Sequence, residues 1–467
     1  MNPEEWSRKW SVSLLALVLI AFAAGCGGGS SNAALQPQSG TVFLTGTDAP
    51  LQSVVSFQVD ITGLSVTDAN NHSQSVLTGT ETVDFARLNG LHTLLDINTI
   101  PAGTYTSVTV TLANPVVGYL NVANPPTTPP TKPTVTTLNG TTIPAVTLTT
   151  SSVTLNLATP LTVSTGNITG LSFEFNLRKS IAVDAMGQIT GAVTPVLNLK
   201  AITPSDSDAF IDDFVAGVVS ANAGGNSFVI QGPHGHQFTV SVNGQTEWEN
   251  NESLNDLTSN SIIELSGTLD RLTATFLADS VGILSQDHFY AGGLVTFEEP
   301  QTGAATDFDL YVRSVLPAGT GFNSGQISTI NLTGNEIFYI YWMHNSMTNM
   351  FFNSSLLTPG QHVSIGGPFT NGAVTVKRVV LRHEGHTGTL VANSVNAGAH
   401  TFQFNSNGLA GVLFNGPITV YVTTFTRFGG GLTQLNDLTS NPTNPLRVVG
   451  LVLKDPGQAS RSSWRAA

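Results

Sequence analysis

The stretch PAGTYTSVTVTL, residues 101–112, shows the pattern that decides the fold of this chain. Val108, Val110 and Leu112 alternate with threonines, so apolar side chains lie on one side of an extended backbone and polar ones on the other. Such alternation predicts a β-strand with one buried face. The same pattern recurs in two other places, at Val153-Leu155-Leu157 and at Leu171-Phe173-Phe175-Leu177.

The composition extends this prediction to the whole chain of 467 residues. Charged residues make up only 10%, against about 25% in typical soluble proteins, and Thr, Ser, Asn, Val and Gly take their place. These residues favour strands and turns over long helices. The net charge of -13 argues against nucleic acid as a partner, because nucleic-acid binding needs basic patches. We therefore predict an all-β protein.

Residues 40–202 are predicted to form one domain, a two-sheet β-sandwich, because short alternating strands with polar outer faces bury one side each. Several segments of this domain carry a family resemblance. They are TDAP at Thr47–Pro50, DFARLNG at Asp84–Gly90, PAGTYTSVTVTL at Pro101–Leu112, FEFNLRKSI at Phe173–Ile181 and VTPVLNLK at Val193–Lys200. In this order they resemble the bacterial lipoprotein family called domain of unknown function 4382. The resemblance implies a surface lipoprotein module with a sandwich fold and supplies no activity.

A polar, acidic segment, TPSDSDAFIDD at residues 203–213, follows this domain. Asp206 and Asp208 have the spacing of the first two ligands of a calcium loop, but Phe210 occupies the third ligand position. A solvated linker is therefore the prediction.

The rest of the chain is repetitive. LNDLTSN occurs at Leu254–Asn260 and again at Leu435–Asn441, and each copy precedes an apolar strand that ends in glycine. With a degenerate copy at Ser354–Gly367, this predicts three modules, residues 214–286, 288–384 and 385–455, followed by a disordered tail at 456–467. Five strands with one helical turn before the fourth predict a small five-stranded barrel of the OB type. The modules resemble the exported bacterial repeats called domain of unknown function 5666.

The N-terminus has the features of an export signal. Arg8 and Lys9 precede the apolar run SVSLLALVLIAFAAGC, Ser11–Cys26, which is shorter than the ~20 residues of a spanning helix. AAGC resembles the bacterial lipobox, which implies cleavage after residue 25 and lipid on the Cys26 thiol. Ordinary signal cleavage, with Cys26 incidental, is the alternative. Residues 26–39 form a flexible Gly/Ser tether, and Gly27, rather than Asp, after the cysteine implies the outer membrane or cell surface.

Four histidines are weak candidates for a metal site. His383 and His386 stand three residues apart around Glu384, one residue short of the zinc-protease spacing. His234 and His236 flank a glycine in a Pro- and Gly-containing turn, where solvated imidazoles are the simpler interpretation. A third ligand is not visible for either pair, so no metal and no cofactor are predicted.

An aromatic patch stands out in the middle module. Tyr341 and Trp342 belong to an alternating apolar stretch, and Phe351 and Phe352 follow. A strand buried on both faces, with a loop packed over it, is the simpler interpretation. The functional alternative is an aromatic platform for a sugar, a peptide or a partner protein.

No catalytic motif survives inspection, because Gly-x-Ser-x-Gly is absent from the sequence. The leading hypothesis is a non-enzymatic, lipid-anchored protein of the bacterial envelope. It displays β modules for binding or structural interaction, with an envelope polysaccharide or a protein as partner and the membrane as its anchor through Cys26. The alternative is an envelope polysaccharide hydrolase that uses carboxylates dispersed in the sequence.

Overall fold

The computed structural model divides the chain into two units, Met1–Gln38 and Ser39–Ala467, and the fold described below is that of the second. The residues that the structure describes are 38–49, 51, 53–121, 131–184, 188–232, 235–249, 252–259, 261–270, 272–273, 275–284, 288–317, 319–340, 351–407, 417–424, 426–429, 431–440, 446–454 and 462–466.

The N-terminal region, residues 39–202, consists of thirteen described strands and one short helix, α1 (Leu177–Ser180). The strands are β1 (Ser39–Ala49), β2 (Val54–Asp68), β3 (Ser73–Ser75), β4 (Glu81–Asp84), β5 (Thr93–Pro101), β6 (Gly103–Asn121), β7 (Thr134–Leu138), β8 (Thr147–Leu148), β9 (Ser152–Val163), β10 (Ile168–Asn176), β11 (Ile181–Val183), β12 (Ile189–Val193) and β13 (Leu197–Ile202).

Two sheets of this region contribute to one core. The first has the strand order β13-β10-β1-β5; the second has the order β3-β2-β6-β7, with β4 on β2 and β9 on β6. Val108 and Val110 of β6 are fully buried, as the alternation predicts. They share the core with Phe57, Phe173 and Phe175, and the ring centroids of Phe57 and Phe175 lie 4.9 Å apart. A third, small sheet has the order β11-β12-β8.

The first repeat closes five strands into a ring. β14 pairs with β15 and β18, β18 pairs with β19, and β16 pairs antiparallel with β15 and parallel with β19. A 3-10 turn at Leu254–Asp256 precedes β18, where the sequence predicts a helical turn. The strands are β14 (Ile211–Ser220), β15 (Ser227–Gln231), β16 (Gln237–Ser241), β17 (Glu247–Trp248), β18 (Ile262–Leu269) and β19 (Phe276–Leu284).

The second repeat shares most, but not all, of these pairings and forms a seven-stranded sheet. β20 pairs with β21 and β24, β24 pairs with β26, and β23 lies parallel to β26. A 3-10 turn at Ser354–Leu356 again precedes the fourth strand of the pattern. The strands are β20 (His288–Glu299), β21 (Asp307–Leu316), β22 (Ile327–Asn331), β23 (Ile337–Ile340), β24 (His362–Thr370), β25 (Ala373–Val374) and β26 (Arg378–Arg382).

The third repeat is a closed barrel with the order β27-β28-β29-β31-β30. Its last strand lies within residues 456–467, for which the sequence predicts a disordered tail. The strand pairs there with two neighbours, which satisfies its backbone hydrogen-bonding groups. The strands are β27 (Glu384–Leu390), β28 (Thr401–Asn407), β29 (Ile418–Val422), β30 (Leu446–Lys454) and β31 (Ser462–Ala466).

The sequence predicts that the fourth strand ends in glycine, but β18 and β24 continue past Gly267 and Gly367 to Leu269 and Thr370. The glycine has a steric cause within the strand. Gly267 and Gly367 have φ values of +153° and +155°, a region that favours glycine. A Cβ at either position would lie 2.1 Å from a carbonyl oxygen of the following segment, that of Leu277 or of Thr375. Glycine is therefore required at both positions, because the following segment passes too close to leave room for a Cβ atom.

The N-terminal region packs directly on the repeats. Phe43 shares a buried core with Phe214 of the first repeat, and Leu120 shares another with Leu294 and Tyr311 of the second. The all-β prediction is confirmed. The boundaries drawn at 40–202, 203–213, 214–286, 288–384 and 385–455 stay a prediction. Residues 39–467 form one compact unit, because the outward faces of the N-terminal region and the repeats pack on one another. Strand periodicity does not reveal this packing.

Candidate functional site

The strongest gathering of charged side chains surrounds a small cavity of about 50 Å³. Its lining comes from every part of the compact unit: Leu91 from the N-terminal region, Glu264 from β18, His362 from β24 and Val449 from β30. On their strands Glu264, His362 and Val449 are next to the core residues Leu265, Val363 and Val448. Because side chains alternate along a strand, the three point away from the core of their own repeat. We use the name charged junction for this cavity together with the ion pairs of Arg382 with Glu264 and Glu249 and of Arg313 with Glu384.

Arg382, at the end of β26, is the centre of the charged junction. Its side chain is 3% exposed. Nη1 donates to Glu264 Oε2 at 2.5 Å, Nε donates to Ser364 Oγ at 2.6 Å, and Nη2 lies 3.5 Å from Glu249 Oε2. Glu249 also accepts a hydrogen bond from the Tyr339 hydroxyl at 2.8 Å. One guanidinium of the second repeat thus holds two carboxylates of the first.

A second buried ion pair connects the second and third repeats. Arg313 Nη1 of β21 lies 3.2 Å from both carboxylate oxygens of Glu384, the first residue of β27. His362 Nδ1 lies 3.5 Å from Glu384 Oε2. Both members of the pair are at most 6% exposed, so each neutralises a charge that would otherwise be buried alone.

Lys454 and Glu298 form a further contact between these two repeats. Lys454 Nζ donates to Glu298 Oε1 at 2.7 Å and to the Leu357 carbonyl oxygen at 3.2 Å. Burial raises the pKa of Glu298 to about 7, although the neighbouring ammonium acts in the opposite direction.

Asp212 joins the N-terminal region to the third repeat. Its Oδ2 accepts hydrogen bonds from Arg447 Nη2 and from the His92 backbone N–H, each at 2.7 Å. Arg447 Nε also donates to the Gly90 carbonyl oxygen. The Asn89-Gly90 turn is therefore in direct contact with β30 of the third repeat.

The four candidate histidines occupy different environments. His386 is buried and His383 is half-buried, and loss of solvation lowers the pKa of His383 to about 4 and that of His386 to about 3. His386 Nδ1 lies 3.3 Å from Ser406 Oγ. His236 is partly exposed in another part of the unit, and His234 lies outside the described residues. Within the described part of the chain, no group of three or more His, Cys, Asp or Glu side chains is placed to hold a metal.

The comparison with protein families concerns the N-terminal region. Residues 39–190 match the family described as domain of unknown function (DUF4382). This confirms the DUF4382 resemblance for the segments up to Ile181, whereas VTPVLNLK at Val193–Lys200 lies beyond the match. Residues 39–190 are called the DUF4382 region below. The match ends before β13, which pairs with β10. None of the curated proteins matches the chain.

A substitution at Gly385 of β27 tests how the DUF4382 region docks on the third repeat. A Cβ on Gly385 would lie 2.2 Å from the Asn89 carbonyl oxygen. Gly385→Ala should therefore force the two segments apart and lower the free energy of unfolding by about 1–3 kcal/mol, measured by urea denaturation of the full chain.

Gly217→Ala in β14 is the matched control for this variant. A Cβ on Gly217 meets no described atom within 4 Å, so the change should be neutral or should raise stability by about 0.4–1 kcal/mol. Equal stability of the two variants would contradict the docking of β27 on the DUF4382 region.

The aromatic patch is only partly within the described residues. Phe351 is 68% exposed, whereas Phe352 is 5% exposed and meets Phe338 edge to face, with ring centroids 5.6 Å apart. Tyr341 and Trp342 lie outside the described residues. Phe352 therefore fits the core interpretation. The exposed Phe351 is compatible with an aromatic platform, which stays a prediction.

Cys26 also lies outside the described residues, and its lipidation stays a prediction. Among the residues that the structure describes, no helix combines the length and the apolar character needed to cross a membrane.

Sequence reasoning missed the residues of the charged junction. Glu264 lies within the apolar run Ile262–Leu265, and Arg382 follows Val379–Leu381. A charged residue inside an apolar strand is seldom buried without a partner. In a chain with so few charges, this signal predicts a buried ion pair but does not name its partner.

Proposed function

We propose that this protein is a lipid-anchored, exported protein of the bacterial envelope that displays β modules for binding or structural interaction. Its architecture in this proposal is a DUF4382 sandwich followed by three OB-like barrels, the latter resembling the domain of unknown function 5666 family. Its partners are the membrane, through lipidated Cys26, and an envelope polysaccharide or protein.

The observation that supports a non-catalytic role is the charged junction. Glu249, Glu264 and Glu384 contact arginines and are at most 10% exposed. A catalytic carboxylate must come within hydrogen-bond distance of its substrate, and glycoside hydrolysis needs two such groups that flank the bond. Carboxylates in ion pairs between repeats instead hold the repeats in fixed positions. Such an arrangement suits a scaffold that presents its outer surfaces to a partner.

The N-terminal sequence supports the anchor. Cys26 follows Ala23-Ala24-Gly25 and is the one cysteine in the sequence, and an exported chain rarely keeps a lone free thiol. Each buried methylene of an acyl chain contributes ~0.8 kcal/mol of membrane affinity, so several chains anchor a protein stably. Bacterial lipoproteins carry three acyl chains on this cysteine.

Cys26→Ser tests the anchor. The full chain is expressed in a bacterium with two membranes, and the variant is expected to leave the membrane fraction on cell fractionation, because its serine cannot take the thioether lipid. Intact mass of the unmutated protein should give an N-terminus at acylated Cys26.

Gly27→Asp is the matched control. It keeps the thiol and should remain membrane-bound, but move from the outer to the inner membrane. A Cys26→Ser chain that stays with the membrane, or a native chain with an unmodified thiol, would contradict the proposal.

A further inference from the structure

A second cavity, of about 300 Å³, opens between the DUF4382 region and the first repeat. Strands β1 and β5 form one side, through Thr41 and Thr99, and β16 forms the other, through Thr239. It shares no lining residue with the charged junction. Its volume is at the lower end of the range of small-molecule sites, about 300–1,000 Å³. We call it the β5–β16 cleft.

The walls of the β5–β16 cleft are polar and uncharged. Hydroxyl and amide groups both donate and accept hydrogen bonds, so the walls match a ligand that carries many groups of both kinds. None of the described lining residues is an acid, a lysine or an arginine, so these walls offer a charged ligand no carboxylate, ammonium or guanidinium to pair with. The wall groups belong to Thr41, Thr99, Thr239, Thr273, Asn98 and Gln237.

The cleft also has an apolar surface. Ile97 and Phe238 line it and are 8% and 5% exposed. Both belong to the core that the DUF4382 region shares with the first repeat, so the packing of that core holds them in place. Because both side chains are almost completely buried, they offer a ligand only a small apolar surface. Most contacts of a ligand that fits would be with the polar walls.

His236 provides a further polar group at the cleft. Its side chain is 40% exposed, and its Nε2 lies 3.9 Å from Asp96 Oδ1, which is beyond hydrogen-bond distance. Asp96 is fully buried and accepts hydrogen bonds from the Thr78 and Ile97 backbone N–H groups at 2.6 and 2.7 Å. Nε2 is itself buried, so Nδ1 is the ring nitrogen of His236 that remains to bind a ligand hydroxyl, as donor or acceptor according to the tautomer.

We propose that the β5–β16 cleft binds a neutral sugar unit. A pyranose ring has hydroxyl groups around its edge and C–H groups on its faces, and it needs no counter-charge. This inference rests on the proposed binding role and assigns it a site and a ligand class, the uncharged glycosyl units of an envelope polysaccharide.

The test is a calorimetric titration of the full chain with uncharged trisaccharides. The probes are maltotriose, cellotriose and triacetylchitotriose, and the protein is purified in a detergent without a sugar headgroup. At least one probe is expected to bind. Thr99→Val and Thr239→Val each remove one hydroxyl group at nearly constant volume and should weaken that binding roughly three- to tenfold.

Thr268→Val is the matched control, because Thr268 lies on β18 of the same repeat and does not line the cleft. It should leave the affinity unchanged, and circular dichroism melts should show that all three variants fold. Trigalacturonate, the charged probe, should bind more weakly than the best neutral one.

Three results would overturn the proposal: no neutral probe binds at millimolar concentration, the two cleft variants bind as well as the control, or trigalacturonate binds best. The proposed function is tested separately, by fractionation of the Cys26→Ser chain. A protein that remains anchored and still co-sediments with envelope polysaccharide, yet binds no trisaccharide, would retain its proposed function without this site.

Discussion

Replacing Arg382 by methionine is expected to lower the free energy of unfolding by about 3–5 kcal/mol. The guanidinium contacts Glu264 and Glu249, whose side chains are 10% and 7% exposed. Without it, both buried carboxylates would lose the guanidinium that they share, and removal of one partner from a buried ion pair is costly. A loss of this size is a large part of the ~5–15 kcal/mol that stabilises a typical domain.

Arg427→Met is the matched control for Arg382→Met. Arg427 Nη1 lies 3.1 Å from Asp279 Oδ2, but the two side chains are 67% and 36% exposed. Solvent screens such a pair, so its loss should cost less than about 1 kcal/mol. Urea denaturation of both full-length variants, followed by circular dichroism, measures the difference. A cost for Arg382→Met no greater than that for Arg427→Met would contradict a stabilising role for the charged junction.

Phe352→Ala is expected to destabilise the protein by about 3–5 kcal/mol, because it leaves a cavity in the core of the second repeat. The ring of Phe352 packs with Ile340, Leu357 and Val379 in that core. The measurement is again the free energy of unfolding of the full chain in urea.

Phe351→Ala is the matched control, since the same side chain is removed one residue earlier. Phe351 is 68% exposed, so its loss should change stability by no more than about 0.5 kcal/mol. If the aromatic platform exists, this second variant should instead weaken co-sedimentation with envelope polysaccharide. Equal destabilisation by the two changes would contradict the assignment of Phe352 to the core.

Much of the fold could be predicted from local sequence. The alternation at Val108–Leu112 identifies a strand with one buried face, and the repeated LNDLTSN with its following glycine identifies repeated strand-turn-strand units. These signals are local because the side-chain period of a strand and the steric demand of Gly267 act over a few residues. The last strand, Ser462–Ala466, was missed because five residues after a Gly- and Pro-containing segment carry too little alternation to detect.

The candidate site could not be predicted in the same way. Periodicity indicates that Glu264 and Arg382 lie on strands, but not that residues 118 positions apart form an ion pair. The β5–β16 cleft likewise brings Thr99 near Thr239 only because a face of the DUF4382 region packs on the first repeat. Contacts of this kind depend on how whole sheets dock, and no short window of sequence contains that information.

By itself, the sequence determined the predominance of strands, the two copies of LNDLTSN and the presence of a glycine in the strand that follows each copy. It also determined which region resembles the DUF4382 family. Only the tertiary structure decided that the repeats and the DUF4382 region pack as one unit and that Arg382 pairs with Glu264 and Glu249 in a buried place between repeats. The physical reason is that backbone sterics and burial periodicity are properties of neighbouring residues. Pairing of buried charges depends instead on the low-dielectric space that forms after distant surfaces have met.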